Sequence, residues 1–352
     1  MRSTLKKLIW SGRGILIAAP TAAAIVLLLR FSGALQFLEW GALDLFLRLA
    51  PTESVDPRIA IVAIDESDVR KQNWPLSDAI MAKLLTKIKQ QQPRAISLDI
   101  ARDLPVPEGQ ADLTKVFSTT PNLFGVEKLP DRDSSGKVAS NERINPSPVL
   151  KRLNQVAAAN LVFDDDAKVR RGLLSLENPD REVLLGLGLQ MALVYLNAES
   201  NVANPDAVNP KRFEPNDGGY VRTDSGGHQL LINYRRNAQP FPIVSMAEVM
   251  EDRIAKDFMR DRIVFVGVTA ISIKDTFITP LDVGSQTPGV IIHAHIASQL
   301  ISGAMDGRTY IKTWPEPWEW LWIVTWTFLG AIPIWVWRHG SSTNKKQGIL
   351  FS

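Results

Sequence analysis

RIAIVAIDES at residues 58–67 and RAISLDI at residues 94–100 decide the fold of this 352-residue chain. In the first stretch, Ile59 to Ile64 are consecutive apolar residues rich in β-branched side chains, and the run stops at Asp65. A strand with one wet face alternates apolar and polar residues, whereas a strand buried on both faces does not, so this run reads as a core strand of a parallel sheet. Between the two stretches, Ser77 suits the N-cap of a helix reaching about residue 91. Ile80, Leu84, Leu85 and Ile88 share one face of it, and Pro93 stops it. Strand, helix and strand in this order give parallel strands with a right-handed crossover.

Working outward, short strands are expected at 122–126, 160–163 and 230–234, and a further core strand at 262–268 (RIVFVGV). Helices are expected at 182–196, from 245 to 250, and at 289–303, where Ile292, Ile296 and Leu300 share a face and Gly303 suits the C-terminal cap. The polar stretch 197–227 reads as a long loop. Residues 35–49 carry Leu38, Ala42, Leu45 and Leu49 at helical spacing, a stripe expected to pack on the domain beside a membrane. Strands alternating with helices over about 250 residues indicate one three-layer α/β domain with a mostly parallel central sheet. No internal repeat interrupts it.

The apolar fraction of 45% with 22% charged residues is ordinary for a folded protein and excludes wholesale disorder. The net charge of +3 hides an uneven distribution, since Arg2, Lys6, Lys7 and Arg13 precede the first acid, Glu39. That cluster fits a membrane flank and not a nucleic-acid surface. There is no cysteine, which excludes disulfides, thiolate metal sites and cysteine nucleophiles.

Residues 14–29 (GILIAAPTAAAIVLLL) are uncharged between Arg13 and Arg30 and read as a retained transmembrane helix, the competing reading being a cleaved signal peptide. Residues 321–337 (LWIVTWTFLGAIPIWVW) are uncharged too, with Trp314, Trp318 and Trp320 before them and Trp335 and Trp337 closing them, an aromatic belt at two interfaces. A buried core helix is the alternative there. Basic residues before the first segment and after the second (Arg338, Lys345, Lys346) place both ends in the cytoplasm. The expected order is a basic cytoplasmic segment 1–13, a span 14–31, an extracytoplasmic α/β domain 32–317, a span 318–337 and a cytoplasmic tail 338–352, all in a bacterial inner membrane. The closing Gly348-Ile349-Leu350-Phe351 reads either as the start of a further segment or as a frayed tail.

RIAIVAIDES, Asn73-Trp74-Pro75 before a helix, RAISLDI, RIVFVGVTA at 262–270, KDTFITPL at 274–281 and PGVIIHAHIASQLISG at 288–303 together resemble the type-two CHASE domain. The resemblance covers about residues 40–305 and lies in the ordered combination of blocks. It implies an extracytoplasmic sensory module of bacterial receptors, of the kind attached to adenylate or diguanylate cyclases or to kinases. Members of that family usually continue into a cytoplasmic catalytic domain, which this chain does not show, so no output activity is assigned to it.

Asp65 and Asp99 each end a core strand, so both carboxylates fall at the carboxyl edge of a parallel sheet, where open α/β sheets bind ligands. With Glu66 they are suited to hold a hard cation or a ligand amine, or else they cap the turns that follow. Thr269, Lys274 and Asp275 follow RIVFVGV on a loop at the same edge, either as part of a pocket or, for Lys274 and Asp275, as a solvated pair. His293 and His295 are two apart and point to different sides of a helix, so a shared zinc is not expected, though His293 could reach the sheet edge. Asp164, Asp165 and Asp166 with Arg170 and Arg171 read as a turn laced by ion pairs. The sequence carries none of the phosphate-binding, serine-hydrolase, zinc-protease or dinucleotide motifs, so neither catalysis nor a cofactor is expected.

These readings converge on a membrane-anchored sensory domain that binds an unidentified small ligand or partner and relays it across the lipid bilayer, as a homodimer, toward a cyclase or kinase effector. The metal question stays open at this point. A non-sensing envelope scaffold and a cation-dependent hydrolase using Asp65 and Asp99 are the rival classes.

Overall fold

The structure, a computed structural model, describes residues 2–130, 143–178 and 182–347, with side chains for 15–333 among them. The closing 348–351 therefore lie outside the described residues. The chain divides into two units. One holds the residues up to Ala42, Pro215–Thr223 and those from Lys312 on, and the other holds Leu43–Glu214 and Asp224–Ile311.

In chain order the elements begin with α1 (Arg2–Ser32), α2 (Gln36–Leu49), β1 (Ile59–Ile64), α3 (Glu66–Gln72), α4 (Asp78–Gln90), β2 (Ala95–Asp99), α5 (Gln110–Ser118) and β3 (Leu123–Glu127). Then come α6 (Pro148–Arg152), β4 (Val156–Ala158), β5 (Arg171–Glu177), β6 (Val183–Leu185), α7 (Leu187–Asn197) and β7 (His228–Leu231). The chain continues with β8 (Ile243–Ser245), α8 (Met246–Met250), β9 (Ile263–Val268), β10 (Thr276–Phe277), β11 (Thr287–Pro288), α9 (Gly289–Met305) and α10 (Glu316–Gln347).

The larger unit is built on a six-stranded sheet in the order β4-β3-β2-β9-β1-β8, with every pairing parallel. Its continuous apolar strands are explained by what covers them. Ile59 and Ile61 of β1 join a core with α7 and α9, whereas Val62 and Ile64 of the same strand join a second core with α4, α5 and α8. Successive side chains point to opposite faces, so a strand with a core on each side has no polar position. Helices on both faces make the three layers. A smaller antiparallel sheet, β6-β5-β7, adds to the first core.

Several expectations are corrected. No strand forms at 160–163; β4 lies just before it, and only Val162 makes an isolated bridge, to Arg171. Leu161 and Phe163 are apolar because they pack against the core beyond the sheet edge, not because they alternate along a ladder. Residues 183–185 are a strand, and the helix starts at Leu187 after Gly186, where a Cβ would stand 2.2 Å from the Leu173 carbonyl oxygen. The expected strand 230–234 is instead β7, which ends at Leu231. Gly303 caps nothing: α9 runs on to Met305, and Gly303 lies inside it where a Cβ would meet the Tyr310 hydroxyl at 2.7 Å. In α2 the stripe of Leu38, Ala42, Leu45 and Leu49 is exposed, while Trp40, Asp44 and Leu47 are buried.

Asp44 explains why that buried face was not read as one. Arg170, 1% exposed at its side chain, bonds Asp44 through Nε at 2.7 Å, Asp164 through Nη1 at 2.8 Å and Asp166 through Nη2 at 2.7 Å. Lys168 reaches Asp44 at 2.6 Å and Arg171 reaches Asp164 at 2.9 Å. Burial works against the charge on Asp44, but Arg170 and Lys168 outweigh it and hold its carboxyl below the usual range. Asp164 and Asp166 thus form an ionic clasp with Arg170 and Arg171 at the start of β5, the ion-paired turn that the charge pattern indicated, while Asp165 is exposed.

The smaller unit contains α1 and α10. Arg30 Nη1 bonds Glu39 at 3.0 Å, Arg30 also pairs with Glu319, and Phe31 meets Trp320 edge-on with ring centres 5.7 Å apart. Among the described helices one is long and apolar enough to cross a membrane, α1, over Ile15–Ser32 with a mean hydropathy of 2.1.

Candidate ligand-binding site

A cavity of about 220 Å³ opens at the carboxyl edge of the parallel sheet. Asp99 ends β2, Lys128 follows β3, Val268 ends β9, and Asp275 with Phe277 come from the segment after β9. Gly289 and His293 enter from the first turns of α9, Ala159, Leu161 and Phe163 follow β4, and Trp74 precedes α4.

Two glycines allow this convergence. Gly267 of β9 lies in register with Asp99 of β2, and a Cβ on it would fall 2.6 Å from the Val290 Cβ, so only a bare backbone lets the start of α9 lie on the sheet there. At Gly289 a Cβ would come within 3.3 Å of the Asp275 Oδ1, and the Gly289 N–H donates to the Asp275 carbonyl at 3.1 Å. The helix start, the loop after β9 and the end of β2 are therefore drawn to one point.

The electrostatics are those of a half-buried acidic pair. Burial pushes Asp99 up to about 7. Burial and then the neighbouring Asp99 push Asp275 up to about 6, His293 and Lys128 pulling weakly the other way. Among the described residues, no side-chain or backbone donor bonds either carboxylate. His293 is buried, which lowers it to about 4 and leaves it neutral at physiological pH, with its ring hydrogen-bonded to the Ala159 backbone. Phe163 and Phe277 meet at a tilt of 50° with 5.4 Å between ring centres and, with Trp74, give the cavity aromatic walls.

The sequence model of the CHASE2 domain matches residues 21–332, most of the chain. The chain belongs to the CHASE2 family. That family is one of extracytoplasmic sensory domains, and the domain itself is not catalytic. No curated protein matches the chain, and no solved structure does.

In this CHASE2 domain the residues expected at the sheet edge divide into two groups. Asp99, Asp275 and His293 line the cavity together; Asp65, Glu66, Thr269 and Lys274 do not. Asp65 is the N-cap of α3, its Oδ1 accepting from Ser67 N at 2.8 Å and Asp68 N at 2.9 Å, with Asp68 returning the bond to the Asp65 N–H. Glu66 accepts from Ser272 N at 3.4 Å and pairs with Arg70 at 3.4 Å. The Thr269 N–H donates to the Ile64 carbonyl at 2.9 Å, and Lys274 holds a left-handed turn at φ 62°. His295, on another side of α9, is wedged against Tyr234 and Phe241 and accepts from Arg235 N at 3.3 Å, away from the cavity. Lys128 and Trp74 were not read as site residues. Lys128 follows a core strand as Asp65 does, so the edge rule that selected the aspartates selects it as well.

Proposed function

We propose that this CHASE2 chain is the outer, ligand-binding part of a membrane receptor, with the cavity at Asp99, Asp275 and His293 as its sensory site. The observation that carries the reading is the place of that cavity, at the carboxyl edge of a parallel sheet where α/β folds take ligands, in a chain of a sensory family. α1 is the first span and α10, whose Trp-rich segment 318–337 is a single helix, is the second, so that the α/β domain stands outside a bacterial inner membrane and both termini lie in the cytoplasm. The outward face of α2, with Phe37, Leu38, Leu45, Phe46 and Leu49 exposed directly after α1, supports a seat on the bilayer surface. Relay to a cyclase or kinase needs a two-state element that ligand can bias, which a homodimer of this chain supplies.

The test is thermal unfolding of the full chain in lipid nanodiscs against amino acids, amines, organic acids, nucleotides and divalent ions. A compound at 100 times its Kd adds about 2.7 kcal/mol, or about 5–10 °C in Tm for a domain of this size. A panel that shifts nothing would remove the sensory reading in favour of a scaffold. A reporter fused near residue 200 that behaves as cytoplasmic would overturn the topology.

A further inference from the structure

The geometry points to a small primary ammonium compound with an apolar or aromatic body as the ligand of this cavity, its nitrogen held between Asp99 and Asp275. This inference rests on the cavity being the sensory site and adds the chemistry of what enters it.

Two half-buried carboxylates face this open cavity, and among the described residues no donor bonds either of them. A partner suited to two neighbouring carboxylates against apolar walls is a cation that offers several N–H donors at once. Among the described residues the groups acting on the pair from surrounding elements are Lys128 after β3 and His293 on α9, and His293 is neutral. Among the described lining residues two carboxylates stand beside one lysine, which favours a cation over an anion. Among the described residues no three His, Asp or Glu groups gather to hold a metal, so two carboxylates would leave a divalent ion short of ligands. The rest of the wall is apolar and includes Trp74, Val126, Ile144, Leu161, Phe163 and Phe277, which suits a hydrocarbon or aromatic body of modest size in about 220 Å³.

The empty pair holds a proton into the neutral range. An ammonium that takes its place expels that proton, so no atom is left unaccounted for: R–NH3+ enters and H+ leaves to buffer. Affinity then rises with pH, by about tenfold per unit below the pair's last ionisation.

Isothermal titration of the full chain in nanodiscs, from pH 5.5 to 8.5, with phenethylamine, 2-phenylethanol, phenylacetate and magnesium chloride tests this. Phenethylamine should bind with an affinity that climbs with pH and with buffer-dependent heat from proton release. Asp99→Asn and Asp275→Asn should each weaken it about tenfold or more and flatten the pH profile. The profile of the unaltered protein needs neither variant to fold. Tighter binding of phenylacetate or magnesium, or amine binding that ignores pH, would overturn the inference. Binding only by compounds without an amine would overturn it while sparing the sensory site, and no binding by any class in the wider panel would remove the site itself.

Discussion

Replacing Arg170 by Met should destabilise the α/β domain more than any single change at its surface. The guanidinium bonds three carboxylates at 2.7–2.8 Å and is 1% exposed, and two of those carboxylates, on Asp44 and Asp164, are equally buried. Methionine fills much of the volume but leaves the carboxylates with Lys168 on Asp44 and Arg171 on Asp164 as remaining partners. Stranding a buried charge costs about 3–5 kcal/mol, and because those two cations persist the cost stays within that range and does not multiply by three. At about 2–4 °C per kcal/mol, Tm should fall by roughly 6–20 °C. Intrinsic fluorescence and near-ultraviolet circular dichroism of the full chain in nanodiscs read the transition. Adding Asp44→Asn and Asp166→Asn to Arg170→Met should restore part of the loss, since the repelling charges go with their partner.

The pH dependence has a definite sign. Asp44 and Asp166 have folded pKa values below the usual 3.8, so their contribution is complete above about pH 4 and is lost as pH falls through the folded values. The gap between the wild type and Arg170→Met should therefore narrow in acid. A loss smaller than about 1 kcal/mol at pH 7 would refute the account, because it is what solvent-screened surface pairs show.

Two further outcomes follow from the cavity. Gly267→Ala puts a methyl 2.6 Å from the Val290 Cβ and should cost about 1–3 kcal/mol by thermal unfolding, with weaker ligand binding as α9 is pushed from β9; an unchanged Tm would refute the close approach. In the ligand-free protein the raised pKa values of Asp99 and Asp275 mean that the folded state keeps its proton longer than the unfolded chain, so this pair lowers stability as pH rises from about 4 to 7. Asp99→Asn should reduce that slope, leaving the part that burial gives Asp275, and be more stable than wild type at pH 8 by about 2 kcal/mol, roughly half the full linkage because the cavity admits water; equal slopes would count against a raised Asp99.

The core strands and Ser77 as a helix cap were legible because each is stated locally: a run of β-branched residues, or a hydroxyl three residues before the N–H it meets. Asp65 stayed open between two readings for the same reason, since an acid after a strand at the sheet edge satisfies the ligand rule and the capping rule equally, and the capping box with Asp68 decided it for the cap, while Glu66 turned to Ser272 and Arg70. The stripe on α2 failed differently: its helix is amphipathic, but the buried face carries Asp44, a charge made tolerable only by Arg170, which is 126 residues away.

By itself, then, the sequence determined the parallel α/β sheet, the long apolar helix after Arg13 and the membership of a sensory family, because periodicity, composition and ordered blocks are properties of neighbouring residues. Only the tertiary structure decided that Asp99, Asp275, His293 and Lys128 share one cavity while Asp65 and Thr269 stay outside it. Partial burial and a raised pKa depend on what distant segments bring alongside, and here two glycines let α9 and its loop come close to the end of β2.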